Sequence, residues 1–173
     1  FMPGSTAMKD KLTPQVREAL TYAVDYDGMI KFTVGGNGNK IAAPIPNGFP
    51  GTQNLEPRAQ DVEKAKSMLA EAGMDSGLEM VAVYPNDNVY GVDLNVMMQK
   101  LQQDFAQVGV EVTLKPVTYP VWREEMAAGT ADLTAVYYAP DYYGSGQYAA
   151  YFGMTEGSTW VSRAGYQSPK TVL

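Results

Sequence analysis

The sequence predicts an α/β fold, a mixed and mostly parallel sheet flanked by helices, as a single domain over residues 1–173. Three observations predict it. From Leu78 to Tyr138 apolar residues switch between alternation and helical spacing, in the order strand, helix, strand, helix, strand. That order implies right-handed crossovers and helices packed on a sheet. Gly73, Gly109 and Gly129 each follow a helical pattern, where a left-handed residue ends a helix. The composition, 45% hydrophobic and 18% charged over 173 residues, is that of a chain able to bury a core.

Taken in order, the first helix is expected over Pro14–Tyr26, with Thr13 as cap and Val16, Ala19, Leu20, Ala23 and Val24 on its buried face. A short second helix, Asp27–Val34, stops at Gly35-Gly36-Asn37-Gly38, a tight turn. No Lys-Ser or Lys-Thr follows these glycines, so they do not read as a phosphate loop. Ile41–Pro57, rich in Pro and Gly, is a structured surface loop. Asp61 caps a helix whose stripe is Val62, Ala65, Met68, Leu69 and Ala72. Strand Leu78–Tyr84, helix Val92–Val108, strand Val110–Val117, helix Pro120–Ala128 and strand Asp132–Tyr138 follow. Trp122 and the methionines read as core, and Arg123, Glu124 and Glu125 as a solvated face. Beyond Tyr138 lies a Gly, Ser and aromatic run with one short helix near Gln147–Phe152, and the chain ends on Thr171-Val172-Leu173.

Several functions are disfavoured by composition. The formal net charge is -6 and the basic residues are scattered, unlike a nucleic-acid surface. Cys and His are both absent, which removes thiolate chemistry, disulfides, imidazole proton transfer and the usual zinc ligands. No run of about 18 apolar residues is present. The opening Phe1-Met2-Pro3-Gly4-Ser5-Thr6 does not read as a signal peptide, and a start on Phe reads as a processed or truncated piece.

Four segments resemble the bacterial family-5 extracellular solute-binding proteins of ABC importers, the oligopeptide-, dipeptide- and nickel-binding type. They are Val16–Asp27, Asp61–Gly73, Leu101–Val112, and Gly129 through Asp132, Leu133 and Tyr138 to Asp141 and Tyr142. Gly165-Tyr166-Gln167-Ser168-Pro169 is a fainter fifth match. The resemblance implies one lobe of a two-lobed type II periplasmic-binding-protein architecture, namely an excised second lobe whose first lobe is absent. It implies a binding module, periplasmic or extracellular and either free or membrane-anchored in the full-length protein. Its partners would be a peptide or small-molecule ligand, the missing lobe and a membrane permease. Neither cofactor nor metal is implied.

The same resemblance places the ligand half-site at Tyr138, Asp141 and Tyr142. At this point of the motif the peptide-binding branch pairs an Asp with the ligand's α-amino group, a charge-assisted bond. Asp141 can equally be a turn residue capping the next element. Tyr138 and Tyr142 would be aromatic walls, with Tyr137 on the opposite strand face from Tyr138. Gly144 and Ser145 stand where the family motif has Asp and Pro, which leaves opine-like conjugates, oligosaccharides and metal chelates beside peptides as cargo. A carboxylate-based hydrolase using Asp132 and Asp141 is disfavoured, because the strand between them outruns the roughly 5–9.5 Å such pairs need.

Overall fold

A computed structural model describes residues 1–74, 77–154 and 160. Helix α1, Pro14–Ala23, starts at Thr13, whose hydroxyl accepts from the Val16 N–H at 3.3 Å, and it buries Val16, Ala19, Leu20 and Ala23. It ends three residues earlier than expected because Asp25 begins the next helix. The Asp25 carboxylate accepts from the Gly28 N–H at 2.8 Å and caps α2, Tyr26–Val34, which closes on left-handed Gly35. Gly28 makes this possible, since a Cβ there would lie 1.9 Å from the Asp25 carboxylate. The loop from 41 to 57 carries no helix or strand. Helix α3, Val62–Glu71, is capped by Asp61 as expected and buries Ala65 and Leu69.

Strands β1, Leu78–Pro85, and β4, Val110–Val117, pair in parallel from Leu78 opposite Val110 to Pro85 opposite Val117. Between them lies a departure from expectation. A small antiparallel hairpin forms from β2 (Asn88–Val89) and β3 (Val92–Asp93), and β3 takes the two residues that periodicity gave to the start of the helix. Helix α4 is therefore Leu94–Ala106, capped by Asp93 through the Asn95 and Val96 N–H groups. Helix α5, Tyr119–Ala128, follows β4 and closes on left-handed Gly129.

The expected third strand, Asp132–Tyr138, is a correction. Only Leu133 bridges to Ala82, in parallel sense. The ladder is pinned at its start by a side chain. One Asp132 oxygen accepts from the Val81 N–H at 2.8 Å and the other from the Ser5 hydroxyl at 2.7 Å. After the Val83 N–H bond to the Leu133 carbonyl the two runs separate, so the described residues form a two-stranded sheet with a third run beside it.

The main core packs α1, α3 and α4 on one sheet face, around Leu20, Leu69, Met80, Tyr84, Met98 and Phe105. A smaller cluster on the other face holds Met2, Val83, Trp122, Met126 and Ala131. Helices α4 and α5 thus lie on opposite faces, as right-handed crossovers require when the chain reverses direction across a sheet. Trp122 is core as expected, its indole N–H donating to the Thr134 hydroxyl at 2.8 Å. An ion network not read from the sequence joins α4 to the α1–α2 junction. Lys100 Nζ lies 3.1 Å from the Asp25 carboxylate and 2.5 Å from that of fully buried Asp104, which also accepts from the Asp25 N–H. The short helix expected near Gln147–Phe152 is α6, Gly146–Ala149, continued by a π-helical turn, Ala150–Met154. Gly165–Pro169 and Thr171–Leu173 lie outside the described residues.

Candidate functional site

Because the run through Leu133 is parallel to β1, its continuation leaves the sheet at the carboxyl ends of the strands, the edge where ligands bind in open α/β folds. Tyr137 and Tyr138 alternate as strand residues do. Tyr137 is exposed, whereas Tyr138 is half-buried against the rings of Tyr148, Tyr151 and Phe152, with centroids 5.2, 5.3 and 5.5 Å away. Loss of water around Tyr138, then the negative charge of Asp141, hold its hydroxyl above the ordinary tyrosine value, so it remains a neutral donor at physiological pH.

Asp141 is exposed, and among the described residues its carboxylate makes no hydrogen bond or ion pair. The capping alternative is not what forms: α6 begins after Ser145, without a side-chain cap. Tyr142 is 59% exposed and its ring lies over Gly144, where a Cβ would come within 2.9 Å of it. This is a physical reason for Gly at the departure from the family motif, since an aspartate there would displace the Tyr142 ring.

Sequence reasoning missed the residue that organises this loop. Gln147 is buried, and its side-chain oxygen accepts from the Asp141 N–H at 2.8 Å and the Tyr138 hydroxyl at 3.4 Å. Its amide nitrogen donates to the carbonyls of Tyr142 and Gly144. Nothing in a Gly-, Ser- and Tyr-rich run marks one Gln for that role. The loop from 41 to 57 braces the far end. Phe49 packs on Tyr143 and Tyr148, and the hydroxyls of Tyr143 and Ser145 donate to the carbonyls of Gly48 and Pro50. Tyr148 is 4% exposed, and its hydroxyl has no hydrogen-bond partner among the described residues.

The hairpin missed from the sequence adds a second aromatic feature. Its two-residue turn places Tyr90 at φ +52° and Gly91 at φ +84°, the pairing that a tight hairpin demands. Tyr90, 77% exposed, meets exposed Tyr137 edge-on at 5.4 Å. A bulky residue in left-handed conformation is a local strain that tends to mark functional edges. The Tyr90-Gly91 pair between two valines was the available signal.

Asp132, by contrast, is buried with both oxygens engaged inside the fold, and so is not presented for acid–base work. Two concavities lie elsewhere. One, of about 400 Å³, is apolar and lined by Met29, Met97, Leu101, Val136, Phe152 and Trp160 among others. The other, of about 430 Å³, is polar, and there Arg58 and Lys64 lie over the Tyr22 ring at 4.3 and 3.9 Å. Tyr138, Asp141 and Tyr142 line neither of these two. No helix among the described residues is long and apolar enough to cross a membrane.

Comparison with known proteins shows the family and the fold. The family model described as "Bacterial extracellular solute-binding proteins, family 5 Middle" matches residues 2–160. The chain is 37% identical over 112 residues to the dipeptide-binding protein of Escherichia coli K12, covering 64% of this chain and 20% of that protein. It is 32% identical over 123 residues to heme-binding protein A of Haemophilus influenzae, covering 70% of this chain and 22% of that protein. In structure it aligns with the periplasmic binding protein DppA of Helicobacter pylori in complex with the peptide STSA. There the TM-score is 0.82 at 18% identity, over 98% of this chain and 32% of that one. The matches thus span about a fifth of the curated relatives' length, and the expected type II periplasmic-binding-protein fold is the one observed. The chain belongs to family 5 of the bacterial extracellular solute-binding proteins.

Proposed function

We propose that this chain is the second lobe of an extracellular solute-binding protein that delivers amine-bearing peptides or related small solutes to an ABC permease, and that it performs no catalysis. The observation that carries the reading is Asp141: a carboxylate without an internal partner, on an aromatic-walled loop at the carboxyl edge of the sheet. Buried when a first lobe closes over it, such a group forms a strong charge-assisted bond to a ligand ammonium. Tyr142 and Tyr138 flank the bond, and Tyr90 and Tyr137 extend the aromatic rim. The exposed tyrosines and Gly144 also suit a hydroxyl-rich conjugate, such as an opine or an oligosaccharide, as second cargo class. The protein acts in the periplasm or outside the cell.

The test is calorimetry of the full-length gene product with alanyl-alanine and with its N-acetylated form. The free dipeptide binds and the acetylated one does not. Asp141→Asn weakens the free dipeptide at least about tenfold, the loss of a charged hydrogen bond. Equal binding of both forms, or unchanged affinity in the variant, removes Asp141 from the site.

A further inference from the structure

Among the described residues, no backbone–backbone hydrogen bond outside helices and strands involves residues 134–144, and none of these residues lies in a helix or strand. Polar backbone in a partly buried loop needs partners from somewhere. One side chain supplies them for three backbone groups between Asp141 and Gly144. Gln147, 5% exposed, uses its oxygen for two donors, the Asp141 N–H and the Tyr138 hydroxyl, and its nitrogen for two acceptors, the Tyr142 and Gly144 carbonyls. The orientation of the amide is settled by this pattern: flipped, its NH₂ would oppose the Asp141 N–H, and its oxygen two carbonyls. The bracing by Gly48 and Pro50 reaches only Tyr143 and Ser145, so the Asp141 peptide is held through Gln147.

We infer that Gln147 is the positioning residue of the ligand site, holding by its side-chain amide the loop from which Asp141 and Tyr142 are presented. This rests on the reading of Asp141 as ligand partner and deepens it. Site loops in this fold class normally borrow order from the strands they follow. Here the third run leaves β1 at Leu133, and a buried amide stands in for the missing ladder. The inference also explains why Asp141 remains exposed without an internal partner: its backbone is anchored and its carboxylate is left for a ligand. A preorganised carboxylate binds more tightly because the ordering cost is met before the ligand arrives.

Two measurements test it. Amide hydrogen exchange of the ligand-free chain, in wild type and in Gln147→Leu, reads the loop directly. The Asp141 amide should exchange at least tenfold faster in the variant, while the amides of β1 and β4 keep their protection. Unchanged Asp141 exchange, or an equal loss across β1 and β4, overturns the positioning role. The second measurement is alanyl-alanine affinity of the full-length gene product in a double-mutant cycle of Gln147→Leu and Asp141→Asn. Each single change lowers affinity at least tenfold, and the two together lower it little further, because Gln147 acts through Asp141. Fully additive losses of a hundredfold overturn the inference. If the wild type does not bind the dipeptide, the amine-ligand reading fails, and the exchange result alone decides the role of Gln147.

Discussion

Three aspartates of this chain occupy opposite kinds of environment. Asp104 and Asp132 are buried, and each carboxylate is engaged: Asp104 by Lys100 and the Asp25 N–H, Asp132 by Ser5 and the Val81 N–H. Asp141 stands exposed, and its carboxylate has no such partner among the described residues. The difference separates carboxylates that hold the fold from one that is offered outward. A buried charge must be paired, or its lost hydration is uncompensated. An exposed one keeps its water and carries no such cost.

The comparison breaks most sharply at Lys100. Lys100→Met leaves Asp104 charged, fully buried and without its cation, which should cost about 3–5 kcal/mol. Urea unfolding of the chain measures it, and a loss below about 1 kcal/mol would mean that the network contributes little. Asp132→Ala comes next. It strips the Val81 N–H and the Ser5 hydroxyl of their acceptor, at about 1–3 kcal/mol for a buried group left unsatisfied. The same unfolding curve should show it, with the tie between the N-terminal segment and the sheet loosened.

How much of this was legible in the sequence follows from the range of each interaction. Caps such as Thr13 and Asp61, the closing glycines and the β4 boundaries rest on neighbours within a few residues, so periodicity and cap chemistry found them. The third strand failed because the run is held to β1 only by Asp132 at Val81, 51 positions away, and by the Leu133 bridge before it separates, a long-range outcome that alternation does not encode. The Lys100 network was half visible, since Lys100 and Asp104 are four apart on one helix, but its third member lies on another element. For the proposed site, Asp141 and Tyr142 were put forward through motif resemblance. Gln147 was not, because its role depends on a loop conformation that no local pattern encodes.

A smaller effect sharpens the same contrast through pH. The Gly28 N–H, and after it Lys100, hold the Asp25 carboxyl below its usual value. Its contribution is therefore present above about pH 4 and lost as pH falls through the folded value. For Lys100, burial opposes the charge, but hydrogen bonds to Asp104 and Asp25 outweigh it and raise its pKa. That contribution is complete below about pH 10.4 and lost as pH rises through the folded value. The urea midpoint of the wild type should thus fall toward both extremes, and Lys100→Met should flatten the alkaline limb and reduce the acid one. A wild-type curve parallel to that of the variant at every pH would detach the network from stability.

Asp141→Asn is the smallest change and the most discriminating. No hydrogen bond or ion pair of its carboxylate is lost among the described residues, and its backbone bond to Gln147 is untouched by the substitution. Stability should therefore stay within about 0.5 kcal/mol of the wild type, as for other exposed positions away from structural contacts. The charge lost also lies near the Tyr138 and Tyr148 hydroxyls, whose pKa values are raised first by burial and then by Asp141. Removing it should let both tyrosines ionise at lower pH, a shift that ultraviolet titration of tyrosinate detects in the absence of any ligand. If the variant instead unfolds as readily as Asp132→Ala, Asp141 belongs with the fold-holding carboxylates, and the division between the two kinds of aspartate fails.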